Sequence, residues 1–434
     1  MSELSRREFA VLAGAGLLGA AATGLPFAGQ FPAPAYAAAK ARVVIVGGGA
    51  GGATVARHVK SHAPDLDVTL VELQKRYTTC FFSNHYIGGY RSFASITHDY
   101  DGLKKLGVDV VHDWAMAVDP TKREVVLRDG KMLRYDKLVL APGIDLKYET
   151  IEGYDPEAGE RMPHAWKAGV QTRILRRQLI DMEDGGVVVV AAPPEPSRGP
   201  DGPYERISLI AHYLKFFKPR SKLIVLDAKA AFSKQALFLE GWKAHYGDLI
   251  ELRMSGPAGN QRVVRVSANT MELITADGTK EKAAVANVIP AQRSGQIAHL
   301  AGCVADDWCP IRPNNFASML VPDVYVLGDA AIADKMPKTA FAAHSQAVSV
   351  ANDIVAKLAG KKRFPPRYRN TSWSLISTTN SVKDGASYRA GEKIVEVASK
   401  FSSKVGEDGA VRAQTFQESL DWYRTITTDM FAKS

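Results

Sequence analysis

Three glycines, an acid some way beyond them, one cysteine and one Gly-Asp turn are the residues of this chain whose types and spacing could do chemistry. Gly47, Gly49 and Gly52 keep the G-x-G-x-x-G spacing directly after the apolar run Val43-Val44-Ile45-Val46. The first permits a tight turn, the second lets backbone approach a pyrophosphate, and the third lets a helix pack on a strand. Ala50 opens that helix, which the spacing predicts to His62, and its first N–H groups face the phosphates. Glu72 closes the next apolar run, Asp67-Val68-Thr69-Leu70-Val71, about 20 residues past Gly52. A carboxylate there accepts hydrogen bonds from a ribose 2′-OH and repels a 2′-phosphate. Strand, glycine turn, helix, second strand and acid fall in register. They predict a bound dinucleotide on Gly47, Gly49, Ala50, Gly52 and Glu72, against the alternative of a packing turn with no ligand.

The remaining elements must complete that site. Lys137-Leu138-Val139-Leu140 reads as a strand running into Ala141-Pro142-Gly143, so Ala141 and Gly143 form the Ala-x-Gly turn that leaves a first dinucleotide domain. A helix is predicted from about Met162 to Met182 on its apolar spacing. A second strand, Val187-Val188-Val189-Val190, leads not into glycines but into 193–203, which holds five prolines with Glu195 and Asp201. Proline removes the N–H donors a pyrophosphate needs, so this unit has a Rossmann shape without the means to hold NAD. A helix from Ile207 to Phe217 and a strand ending in Asp227 follow. Val324-Tyr325-Val326-Leu327 then ends in Gly328-Asp329-Ala330, ahead of a helix from about Thr339 to Leu358. Asp329 at such a turn binds the ribitol chain of FAD, or is a plain helix N-cap.

The chain is α/β: two Rossmann-type domains of the glutathione-reductase kind, the first discontinuous, plus a small C-terminal α+β domain. The predicted divisions are 1–37 for an export signal, 40–155 and 290–368 for the FAD-binding domain, 156–289 for the second Rossmann unit and 369–434 for the last. At 434 residues, 46% hydrophobic and 23% charged, the chain can bury more than one core. The net charge of +9 includes a cluster at Lys361, Lys362, Arg363, Arg367 and Arg369, with no nucleic-acid signature beside it. That cluster is a solvated face, or a surface for an acidic partner or anionic substrate.

Ser5-Arg6-Arg7-Glu8-Phe9, an apolar Gly/Ala-rich stretch and Ala35-Tyr36-Ala37 read as a twin-arginine export signal with its cleavage site, which predicts a periplasmic protein. No later stretch is apolar for long enough to span a membrane. Three cysteines, Cys80, Cys303 and Cys309, leave one odd thiol in an oxidising compartment. Whether Cys303 and Cys309 pair is open at this stage. No metal-ligand spacing occurs, and no Cys-x-x-Cys-His either, so the chain carries no covalent haem of its own.

Taken together, these residues carry a resemblance. The chain resembles the flavoprotein subunit of flavocytochrome c sulfide dehydrogenase over nearly its whole length after the signal. The likeness rests on the glycine motif, Tyr77-Thr78-Thr79-Cys80-Phe81-Phe82-Ser83-Asn84, Met162-Pro163-His164-Ala165-Trp166-Lys167-Ala168-Gly169 and Gly202-Pro203-Tyr204-Glu205-Arg206. Trp308-Cys309-Pro310, Gly328-Asp329-Ala330, Met336-Pro337-Lys338 and the Trp422-Tyr423 tail add to it. The resemblance implies FAD joined through a thioether to Cys80, which otherwise reads as a buried inert cysteine. It also implies Lys338 among the cofactor-binding residues, a c-type cytochrome partner in a heterodimer, and sulfide or another small reduced-sulfur compound as substrate. Glu205 is the implied catalytic acid–base group; its other reading is a helix N-terminal acid stabilised by the dipole. The family holds a redox-active cysteine pair over the flavin, and the matching positions here are Gly199 and Ser372. A serine hydroxyl cannot undergo thiol–disulfide exchange. Two functions follow: an enzyme whose reductant meets the flavin directly, or a flavin-carrying electron-transfer or assembly subunit of a sulfur-oxidation complex.

Overall fold

The structure, a computed structural model, describes residues 40–256 and 258–432; the expected export signal lies outside them. Arg42–Val46 forms the central strand because Val43, Val44 and Ile45 are wanted on both faces, and each is 2% exposed or less. Burying each such side chain contributes about 1.5–3 kcal/mol. The strand pairs in parallel with Asp67–Val71 on one side and Lys137–Leu140 on the other. Asp109–Val111 and Val324–Val326 complete a five-stranded parallel sheet. The last of these comes from far along the chain, so the first domain is discontinuous, as expected.

A second parallel sheet of four strands runs Ile250–Met254, Lys222–Asp227, Val187–Ala192 and Val285–Val288. Its helix begins at Gly202 rather than Ile207, because Pro203 suits the first turn, where its missing N–H is not needed. The helix expected from Met162 begins only at Val170: residues 162–169 are not helical, and Gly169, at φ +128, is the N-cap of the helix Val170–Asp181.

The last section is a three-stranded antiparallel sheet, Tyr368–Ser377, Asn380–Ala390 and Val395–Ser402, followed by the helix Gly409–Phe431. That helix packs on the sheet and on Ala50–His62. Ala50–His62 packs in turn on Ala340–Ala359, which Thr339 caps by accepting from the Ala342 N–H. Asp429 pins the C-terminal helix to both. His58 Nε2 lies at 2.9 Å, His344 Nε2 at 2.7 Å and Arg57 at 2.5 Å from its carboxylate.

Candidate functional site

The ends of the first sheet's strands open on a cleft of about 950 Å³. Gly47, Gly49, Ala50 and Glu72 line it from the glycine turn and the second strand. Ala141 and Gly143 line it from the turn after Leu140, and Gly328 and Asp329 from the opposite side. A Cβ on Gly47 would stand 2.3 Å from the Ala141 carbonyl oxygen, so the two turns touch through backbone. Gly52 is not on the cleft wall but beneath it: a Cβ there would lie 1.9 Å from the Gly47 carbonyl oxygen. Glu72 fixes the turn as well as facing the cleft, its two oxygens accepting the Gly48 N–H at 2.8 Å and the Gln74 N–H at 2.9 Å.

Several features fit a dinucleotide. No side chain caps the 13-residue helix at Gly49 and no acid stands in its first turn, so its positive end is open to a phosphate. A Cβ on Gly49 would come within 3.1 Å of the Tyr77 hydroxyl, crowding the space over that end. Asp329 Oδ1 is buried with no hydrogen-bond partner, an acceptor for a sugar or ribityl hydroxyl. Burial raises the Asp329 carboxyl, while Arg198 and Lys338 pull it back. In the second sheet the matching acid, Asp227, is fully buried and tied to Tyr204 at 2.7 Å and Lys229 at 2.9 Å. The proline-rich loop is tied down there, the Ser197 N–H on Glu195 within it and the Gly199 N–H on the Lys338 carbonyl outside it.

Beside the cleft lies a smaller chamber of about 140 Å³, and Cys80 and Arg198 line both spaces. Burial pushes the Cys80 thiol up and the Arg198 guanidinium pulls it back. Gly199, Ser372 and Glu205 all line the chamber, so the topology gathers three positions that are far apart in sequence. Cys80 is the sole thiol in its lining; Cys303 and Cys309 are unpaired and wholly buried in the first domain's core, away from both spaces.

Glu205 is a brace. Its carboxylate accepts the Leu375 N–H at 3.1 Å and the Asn84 amide at 2.9 Å, with His85 Nε2 at 3.5 Å. Burial would raise it, but His85, Asn84 and Leu375 together hold it below the usual carboxylate range. Lys338 also lines the chamber, and its ammonium donates to the carbonyls of Asp329 at 2.9 Å and Ala331 at 2.7 Å. It therefore holds the Gly-Asp turn in place, 3.9 Å above the Trp308 ring. Burial lowers it to about 8.

Sequence reading missed Arg198, Trp166 and Trp373. Trp166 lies in a motif that carries the resemblance, but no local signal gives any of the three a site role, because the chamber is assembled from loops of both parallel sheets and the closing sheet.

Fold and cleft define a dinucleotide-binding protein of the two-Rossmann class. Residues 41–180 match the family model described as pyridine nucleotide-disulphide oxidoreductase. Residues 172–290 match the central part of the sulfide dehydrogenase [flavocytochrome c] flavoprotein chain, and 364–431 match the flavocytochrome c sulphide dehydrogenase flavin-binding model. The chain belongs to the flavoprotein-chain family of flavocytochrome c sulfide dehydrogenase.

Among relatives, the sulfide dehydrogenase [flavocytochrome c] flavoprotein chain of Chlorobaculum thiosulfatiphilum is 51% identical over 43 residues, 10% of this chain and 90% of that sequence. Sulfide-quinone reductase of Aquifex aeolicus is 28% identical over 172 residues, 39% of this chain and 38% of that one, so this chain matches well under half of it. The solved sulfide:quinone oxidoreductase of Aquifex aeolicus superposes with a TM-score of 0.67 at 18% identity, over 91% of this chain and 93% of that one.

Proposed function

We propose that this protein oxidises sulfide or a related small reductant in the chamber and passes the electrons to a c-type cytochrome partner. Gly47, Gly49, Ala50, Glu72, Ala141, Gly143, Gly328 and Asp329 would hold FAD in the cleft, and Cys80 would tether it. The observation that carries this reading is the position of Cys80, on the wall of both the dinucleotide cleft and the chamber. A bound flavin supplies the change from two-electron to one-electron chemistry.

The chain's own residues do the rest. Lys338 and Gln346 fix the Gly328-Asp329 turn through the Asp329 carbonyl and the Gly328 N–H. Arg198 places a positive charge where cleft and chamber meet, favouring the thiolate of Cys80 and offsetting Asp329. Glu205 and Arg206 lock the chamber walls, Arg206 through bonds to Asn84, Asn287 and the carbonyls of His164 and Ala165. With Gly199 and Ser372 at the family's cysteine positions, the reductant meets the cofactor without a redox disulfide. Arg6 and Arg7 with the apolar stretch after them support export to the periplasm.

The thiol-poor chamber also supports a second reading, a flavin-carrying subunit without sulfide turnover. Anaerobic addition of sulfide separates the two. Rapid bleaching of the flavin supports the enzyme; an unchanged spectrum supports the carrier.

A further inference from the structure

Four buried polar atoms around the chamber lack a hydrogen-bond partner in the protein: Asp201 Oδ1, Ser374 Oγ and the indole nitrogens of Trp166 and Trp373. Unpaired buried groups are costly and scarce, and four round one small cavity mark a place built for a polar guest. The other charged groups of the lining are engaged, Arg198 among them through the Trp166 carbonyl and Asp329. Glu205 braces Asn84 and Leu375, Arg206 is bonded on all three nitrogens, and Lys338 is held by two carbonyls.

Asp201 is different. It is 4% exposed, and only its Oδ2 is paired, accepting from Lys234 Nζ at 2.6 Å and Ser372 Oγ at 2.7 Å. The Ser233 hydroxyl stands between the two carboxylates, donating to Asp384 Oδ2 at 3.5 Å and also facing Asp201. The same Lys234 ammonium donates to Asp384 Oδ1 at 2.8 Å, so one cation serves two carboxyl groups. Burial alone would raise the Asp201 carboxyl; Lys234, Ser372 and Ser233 outweigh it and hold it below the usual carboxylate range. Its free oxygen can only accept.

We propose that Asp201 sets the specificity of the chamber, receiving a neutral ligand that donates a hydrogen bond, a small thiol or undissociated hydrogen sulfide, and turning away acceptor-only oxyanions such as thiosulfate. The indole N–H groups of Trp166 and Trp373 take the ligand's acceptor atom. Trp373 stacks on Trp422 at 5.4 Å and Phe341 on Trp422 at 5.9 Å, giving an apolar wall for the rest of it. This assignment rests on the chamber being where the reductant meets the cofactor.

Equilibrium binding of 2-mercaptoethanol and of thiosulfate to the anaerobic holoprotein tests it, read by flavin difference absorbance and tryptophan fluorescence. The wild type binds the thiol saturably and thiosulfate at least about tenfold more weakly. Asp201→Asn, which replaces the acceptor by an amide, weakens the thiol about tenfold and narrows the gap to thiosulfate. Trp373→Phe, which deletes one donor and no charge, weakens the thiol severalfold. Thiosulfate binding as tightly as the thiol in wild type, no saturable thiol binding, or a preference unmoved by Asp201→Asn would overturn the proposal. The wild-type preference decides even where the variant does not fold. Flavin bleaching by sulfide is recorded apart: its absence defeats the redox reading, while the binding preference stands or fails by itself.

Discussion

Arg198 Nε stands 4.0 Å from Asp329 Oδ2, so the proline-rich loop of the second sheet meets the Gly-Asp turn of the first through one partly shielded ion pair. Arg198 does not fully offset the burial of Asp329, whose carboxyl is raised. A raised acid binds its proton more tightly folded than unfolded. Stability from this group is therefore full at low pH and declines as the pH rises through the folded value. In a Cys80→Ser background stripped of flavin, Asp329→Asn should remove that decline and raise the melting temperature at pH 7. With flavin restored, the same change should weaken its binding about tenfold, since Oδ1 is the acceptor lost. Calorimetry and flavin titration measure the two effects, which run in opposite directions.

Gly49 and Gly52 separate ligand space from packing space. Gly52→Ala forces a methyl against the Gly47 carbonyl and should cost about 1–3 kcal/mol of stability as well as the flavin. Gly49→Ala meets only the Tyr77 ring, so the fold should survive close to wild type while flavin loading falls. Urea denaturation with the visible spectrum reads both.

The Asp429 clamp predicts an acid dependence. Burial would raise this carboxyl, but the hydrogen bonds from His344 and His58 outweigh it and hold it well below the carboxylate range. A depressed acid contributes stability above its unfolded value, about 3.9, that is lost as the pH falls toward the folded one. Asp429→Asn should cost about 1–3 kcal/mol at pH 7, with the difference from wild type shrinking below about pH 4.

Glu205→Ala should cost about 3 kcal/mol, because it leaves the Leu375 N–H and the Asn84 amide without their buried acceptor. Glu205→Gln, which keeps one oxygen, should recover more than half of that. Equal losses for the two variants would remove the bracing role.

The dinucleotide cleft was legible because each part of its cradle is local: glycines at fixed spacing, an acid at a strand end, a Gly-Asp turn. Parallel strands such as 43–46 and 187–190 read clearly because both their faces are apolar. The helix before Asp181 did not, since its apolar spacing runs on through Pro163 and Gly169, where backbone geometry stops it. The chamber was legible only in part. Gly199, Glu205 and Ser372 could be placed through resemblance, but Asp201 read only as an acid in the proline-rich run. Its pairing with Lys234 and Ser372 spans 33 and 171 residues, beyond any local pattern.

The absorption spectrum of acid-precipitated, unfolded protein tests the proposed tether at Cys80 most directly. The account predicts that yellow flavin stays with the wild-type polypeptide and leaves Cys80→Ser, which still binds flavin when folded. A wild-type polypeptide that comes out colourless, with all flavin in the supernatant, would contradict it.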